Sequence, residues 1–328
     1  MAMINNVFIV DEIEKECIET LLKHGISVST RNNETKEQLL KIIPNYDAII
    51  VRSATKITKD LIEAGAKGCL KVIGRAGTGV DNIDVSSATA NGVLVMNTPS
   101  GNSQSAAELT CTLILSLARN VSQADISMKE GKWARKNFMG EEVANKILAI
   151  IGLGRIGQMV ASRMQAFGMK IIGYDPFISK EVVKQKGIEL LSLEEIYPLA
   201  DYITVHVPLT KETENLLNAK TLSKCKKGVK IINVARGGIV NEEDLVAAIN
   251  NGHVSRAALD VFVEEPPKYH DLVKNNKIIA TPHIGASTIE AQNRVAVEIA
   301  QNIIALNEGK ENFSVLNAND ILSKKKQC

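Results

Sequence analysis

Two hydrophobic periods alternate along the chain. Short continuous apolar runs, the pattern of strands buried on both faces, recur at VFIVD (7–11), ISVST, YDAIIVRS, KVIGRAG and GVLVMNTP. Between them, apolar residues at helical spacing predict amphipathic helices such as 12–24 and 35–43. The second half repeats the arrangement with KILAIIG, KIIGYD, DYITVHVP, VKIINVARG, HVSRAALDV and NKIIATPH. Strands alternating with helices imply a parallel sheet covered on both faces. The reading is an α/β chain of two lobes, each a doubly wound parallel sheet. Two longer helices read as crossovers between lobes. One spans about 102–119, with Ala106, Leu109, Leu113 and Leu117 on one face. The other starts at Ser287, which has capping-box spacing to Glu290, and continues through Ala296, Ile299, Ala300 and Ile303. The second helix carries the chain back to the first lobe. That lobe is therefore expected to be discontinuous, residues 1–98 with 286–328, and the other lobe to be 99–285.

The run ILAIIGLGRIGQ, followed by IIGYDP, changes the picture most. A buried strand (147–151) ends in Gly152-Leu-Gly154-Arg-Ile-Gly157. A helix then opens, with Ile156, Met159, Val160, Met164 and Phe167 at helical spacing and Gly168 placed to end it. A second apolar strand reaches Asp175, about 20 residues beyond the glycines, as a dinucleotide fingerprint requires. The glycines serve a tight turn, close backbone approach to a pyrophosphate, and close helix–strand packing. Helix N-terminal N–H groups then face the phosphates. Asp175 suits the ribose hydroxyls and repels the extra phosphate of NADP, so the expected cofactor is NAD. The lobe bearing the fingerprint reads as a Rossmann domain, and the other as a flavodoxin-like substrate domain.

Composition narrows the partners. A net charge of +2 over 328 residues leaves no dominant basic face for nucleic acid. The Lys324-Lys325-Lys326 run reads as a solvated tail. Cys17, Cys69, Cys111, Cys225 and Cys328 are scattered without metal-ligand spacing, which suits reduced thiols, and no metal is expected. The N-terminus runs into a strand with an early acidic cluster rather than a signal sequence. No apolar run approaches the length of a membrane span. A cytoplasmic location without membrane contact is the expectation.

Ligands of open parallel sheets sit outside the carboxyl ends of the strands. Three polar residues follow three second-lobe strands on that edge: Arg236 after VKIINVA, Glu265 after HVSRAALDVFVE and His283 after KIIATP. Hydride transfer between a 2-hydroxy acid and its oxo form needs a group that exchanges the hydroxyl proton and a cation for the carboxylate. Imidazole titrates near neutrality and suits the first task. A guanidinium fork suits the second. His283 is therefore read as acid/base, Glu265 as its partner and Arg236 as anchor. His206, ending YITVHVP, competes with His283, and Glu264 competes with its neighbour Glu265. Asn241 and the acids Glu242 to Asp244 read as ordinary helix N-terminal chemistry. In the first lobe, Gly74-Arg75-Ala-Gly77-Thr78-Gly79 ends a strand and offers an amide nest for an anion. Arg52 ends YDAIIVRS on the same edge, so a second anionic group on the substrate is expected.

VRSATKIT, GRAGTGVDN, VMNTPSGNSQSAAELT, SMKEGKWARKNFMG, GLGRIG, NVARGGIVNE, ALDVFVEEPP and TPHIGAST together resemble the NAD-dependent D-2-hydroxyacid dehydrogenase family over nearly the whole chain. RSATK, RAGTGVDN and GKWARKNFMG point to its phosphoglycerate branch. The resemblance implies an Arg, Glu and His trio matching Arg236, Glu265 and His283. It implies NAD contacts at Thr78, Arg155, Ile156, Asp175, Val207, Val234, Ala235, Asp260 and the turn from His283 through Gly285 to Ala286. It implies Arg52 and Arg75 as phosphate ligands, Gly77 as a further substrate contact, Arg135 reaching in from a neighbouring subunit, and a homodimer or homotetramer. The implied reaction is oxidation of 3-phospho-D-glycerate by NAD, the first step of serine synthesis. Alternatives are a glyoxylate or hydroxypyruvate reductase of the same family and, more distantly, an NADH-sensing corepressor. The chain stops soon after the first lobe is completed, where many relatives continue into regulatory domains.

Overall fold

The computed structural model describes residues 3–31, 34–310 and 314–325; Lys326 and Cys328 lie outside them. The chain divides into two compact units, Met1–Asn102 with Ser287–Cys328, and Ser103–Ala286. In the first, β1 (Asn6–Ile9), β2 (Ser27–Thr30), β3 (Ala48–Val51), β4 (Val72–Arg75) and β5 (Leu94–Met96) form a parallel sheet in the order β2-β1-β3-β4-β5. This is the flavodoxin-like strand order. In the second, β6 (Ile147–Ile151), β7 (Lys170–Tyr174), β8 (Ile188–Leu190), β9 (Tyr202–Val205), β10 (Val229–Asn233), β11 (Val254–Leu259) and β12 (Ile278–Ala280) run parallel in the order β12-β11-β10-β9-β6-β7-β8. Counted within the unit, that is the Rossmann order with one added edge strand. The two-sheet α/β architecture read from the sequence is the one observed.

Both faces of the seven-stranded sheet are dry. Leu148, Ile150, Tyr202 and Ala258 pack under Ala107, Ile114 and Leu117 of the helix Ser103–Arg119. Ala149, Ile203 and Ala257 face Leu245 and Ile249 of the helix Glu242–Asn250. In the five-stranded unit the helix Ile289–Asn307 lays Ala296, Ile299, Ala300 and Ile303 against Val7, Ile9 and Val72. Gly74 admits it there, since a Cβ at that position would stand 3.0 Å from Ile299.

Three local departures have physical causes. The first strand ends at Ile9 rather than at Asp11, because the Asp11 carboxylate turns to accept from Arg52 N at 2.6 Å and from the Thr55 hydroxyl. The returning helix is capped by Thr288, whose hydroxyl accepts from Ala291 N, so Ser287 is not the cap. The three-residue β8 carries too short a pattern to be read from sequence.

Asp47, just before β3, accepts from Asn5 N (2.9 Å), Asn6 N (3.2 Å) and Lys71 Nζ (2.6 Å). Burial alone pushes this carboxyl up, but Lys71 and the two N–H groups outweigh it and hold the group below its ordinary range. A carboxyl depressed on folding stabilises above its unfolded pKa, and that stability is lost as pH falls through the folded value. Asp47→Ala is therefore expected to destabilise the protein by about 1–3 kcal/mol near neutrality. The gap from the parent should begin to narrow below about pH 4 and shrink further as pH falls through the lower folded value. Urea unfolding at both pH values measures this, and a gap that ignores pH contradicts it.

Candidate active site

The loop after β6 is shaped by two forced contacts. Gly152 has φ +98°, and a Cβ there would lie 2.6 Å from the His206 carbonyl oxygen. A Cβ at Gly157 would lie 2.1 Å from the Gly152 oxygen, so the helix Arg155–Ala166 sits hard on the turn. Gly154 is different: a Cβ would meet nothing within 4 Å. It is the helix N-cap, with no side-chain cap and no acid in the first turn. No cap side chain or first-turn acid of the helix itself therefore answers the partial positive charge of its N-terminus, which suits an anion there. Arg155 and Ile156 form that first turn. Asp175, just past β7, accepts from Leu153 N (2.8 Å) and Phe177 N (2.9 Å), which fixes its carboxylate beside the glycine turn. A carboxylate has about four acceptor sites, so capacity remains for ribose hydroxyls. These residues fit a dinucleotide.

Neighbouring strands end on the same edge. Val207 follows β9 and packs against the sheet core near Gly152. Val234, Ala235 and Arg236 follow β10. Glu265 lies in the loop after β11, and His283 follows β12. His283 Nδ1 and Glu265 Oε2 are 2.7 Å apart. A carboxylate partner at Nδ1 favours the tautomer protonated there, which leaves Nε2 as the other ring nitrogen. Glu264 instead pairs with Lys268 at the surface. His206 bonds Thr204 Oγ1 through Nε2 at 3.0 Å, and burial pushes its pKa down to about 4. His206 is thus a neutral ring near neutrality. Arg236 Nη1 donates to the Ala235 carbonyl at 2.6 Å.

Sequence reading missed how these loops are held. Asp260, fully buried, accepts from Thr281 Oγ1 (2.6 Å), Ile284 N (2.8 Å) and Gly285 N (2.8 Å). It therefore grips both sides of His283, which sits at φ +53°, a left-handed conformation uncommon for a side-chain-bearing residue. Gly285 comes within 3.2 Å of that carboxylate by Cβ position, and Ala286 ends the unit. Asn233, also buried, accepts from Ala235 N (3.0 Å) and donates to the Arg236 carbonyl (2.7 Å). The signal was present as a polar residue ending each of two apolar strands, NVARG and ALDVF.

The remaining predicted residues lie elsewhere. In the five-stranded unit, Arg52 follows β3 with Nη1 3.8 Å from Glu14, and Arg75 ends β4. Gly77 has φ +146°, and the Arg75 guanidinium occupies the space a Cβ would need there. Thr78 donates to Asn102 Oδ1 at 2.6 Å. Arg135, in the other unit, is exposed in the short turn Arg135–Phe138.

Comparison with known proteins identifies the family and the fold. Residues 111–285 match the family model described as D-isomer specific 2-hydroxyacid dehydrogenase, NAD binding domain. A curated relative from Sus scrofa, named D-3-phosphoglycerate dehydrogenase, is 52% identical over 98% of this chain and 60% of its own length. The chain thus spans 60% of that longer protein. Among solved structures, the TT0316 protein from Thermus thermophilus has a TM-score of 0.86 at 31% identity, over 95% of this chain and 99% of that one. A glyoxylate reductase from Paecilomyes thermophila reaches 0.88 at 26% identity, over 97% of this chain and 100% of that one. With a glycine-lined helix start, an acid at the next strand end and a histidine–glutamate pair on the same sheet, the chain belongs to the D-isomer specific 2-hydroxyacid dehydrogenase family.

Proposed function

We propose that the protein interconverts 3-phospho-D-glycerate and 3-phosphohydroxypyruvate with NAD, the opening reaction of serine biosynthesis. The observation that carries the chemistry is the 2.7 Å His283–Glu265 pair at the carboxyl edge of the seven-stranded sheet. His283 Nε2 takes the C2 hydroxyl proton in the oxidative direction and returns it in the reductive one. Glu265 holds Nδ1–H, fixing the tautomer through the transfer. Arg236 binds the substrate carboxylate and polarises the adjacent carbon. Gly152, Gly154, Arg155, Ile156 and Gly157 hold the pyrophosphate of NAD, and Asp175 its adenosine ribose. Thr78, Val207, Val234, Ala235, Asp260, Gly285 and Ala286 complete the cofactor contacts. Bound NAD supplies the acceptor for the C2 hydride.

The five-stranded unit supports an anion site by itself: Arg52 and Arg75 leave neighbouring strands β3 and β4, and Gly77 turns the chain directly after them. These three residues take the substrate phosphate. The 52% identity to the Sus scrofa phosphoglycerate enzyme favours that substrate. Homodimer or homotetramer assembly is supported by exposed Val121, Ile126, Met128, Trp133 and Met139, a run of apolar side chains flanking Arg135. Arg135 then serves a neighbouring subunit's site. Cys17, Cys69, Cys111 and Cys225 are free thiols, which supports the cytoplasm as the compartment.

The direct test is NADH consumption with 3-phosphohydroxypyruvate, hydroxypyruvate, glyoxylate and 2-oxoglutarate side by side. The phosphorylated acid should give the highest kcat/KM; a preference for glyoxylate would assign the reductase activity instead. His283→Ala should lower turnover by ~10²–10⁴-fold with NADH binding kept, the range of a positioned acid/base. Near-normal turnover would remove His283 from the chemistry. Asp175→Ala should weaken NAD and improve NADP relative to it, read from kcat/KM for each cofactor. Arg52→Ala and Arg75→Ala should raise KM for the phosphorylated acid more than for hydroxypyruvate, and equal losses on both would deny them the phosphate.

A further inference from the structure

The loop that presents Glu265 has little of its own to hold it. Val263 is 66% exposed, and Glu264, Glu265 and Pro266 are open to water. No strand or helix lies between β11 and the short helix His270–Val273. The Glu265 carboxylate accepts from Phe262 N, and Lys268 pairs with Glu264, but both bonds stay inside the loop. Among the described residues, 262–268 make hydrogen bonds to the outside at two places only. One is His283. The other is Val263 N, which donates to Glu242 Oε1 at 2.7 Å.

We propose that Glu242 is a positioning residue for the acid–base pair, tethering the Glu265 loop to the helix that begins just after Arg236. The inference rests on the roles given to Glu265 and His283 above. The far end of the tether is rigid. Glu242 opens the helix Glu242–Asn250, capped by Asn241 Oδ1 on Asp244 N and anchored by buried Leu245, Val246, Ala248 and Ile249. A second contact runs alongside it: a Cβ at Gly237 would stand 1.9 Å from the Phe262 oxygen. The segment leaving Arg236 therefore lies flat on the start of the Glu265 loop, and the Glu242–Val263 bond closes that contact one residue further on. Anchor and acid–base partner are thereby built on one piece. Glu242 is also unlike a solvated first-turn acid. Burial pushes its carboxyl up, with the Val263 N–H as the offsetting influence.

The test compares Glu242→Ala and Glu242→Gln in the full chain, in the parent and in a Glu265→Ala background, with NADH and 3-phosphohydroxypyruvate. Losing one charge-assisted bond is worth about tenfold. Glu242→Ala should lower kcat by about that factor while KM and NADH affinity, read by fluorescence titration, stay at parental values. Glu242→Gln keeps an oxygen that accepts from Val263 N and should recover to within about twofold. In the Glu265→Ala background, Glu242→Ala should cost less than about twofold more, because the tether then holds nothing that reacts. Parental kcat in Glu242→Ala overturns the proposal. So does a Gln variant as poor as Ala, or a loss that multiplies fully with Glu265→Ala. Glu265→Ala with parental turnover would instead refute the site reading itself. If Glu242→Ala does not fold, Glu242→Asp, which keeps the charge but shortens the reach, carries the same comparison.

Discussion

A single buried carboxylate governs the geometry of the site. Asp260 has no exposed surface and takes a hydroxyl and two backbone N–H groups from the stretch 281–285. Leaving such a charge without partners costs several kcal/mol, so the loop cannot relax away from it. That constraint holds His283 at φ +53° and turns its imidazole toward Glu265. Strain at one residue persists because its neighbours over-determine the backbone. The parallel sheet makes this possible. β10, β11 and β12 lie side by side, so Asn233, Asp260 and Thr281, far apart in sequence, end on one edge.

Much of this was legible in the chain itself. The fingerprint strand Ile147–Ile151 and the helix after it read directly, because a fully buried strand and a one-faced helix leave unambiguous periods. Arg236, Glu265 and His283 stood out for the same reason, as polar residues following three apolar runs. What did not read was which partner each polar side chain takes. Glu264 and Glu265 are equivalent in sequence, and only the loop's path turns one toward Lys268 and the other toward His283. Glu242 looked like any acid in a first helical turn. Its partner, Val263 N, lies 21 residues away on another loop. Thr288 displaced Ser287 as cap because adjacent hydroxyls differ in sequence only by one step, whereas the backbone N–H they compete for has a fixed position.

The two units carry different kinds of information. The matched family model covers residues 111–285, within the seven-stranded unit. That unit holds the glycine turn, Asp175 and the Arg236, Glu265 and His283 loops. Solved relatives at 26–31% identity share the architecture while one is named a glyoxylate reductase. Fold therefore does not decide the substrate. In the function proposed above, that choice falls to Arg52 and Arg75 in the five-stranded unit.

The most direct measurement is a crystal structure of the protein with NADH and a non-reducible analogue of 3-phosphohydroxypyruvate. The account predicts His283 Nε2 within hydrogen-bond distance of the oxygen on C2, Glu265 still on Nδ1, and the Arg236 fork on the carboxylate. An analogue whose C2 oxygen is held by His206, or by no imidazole, would contradict it.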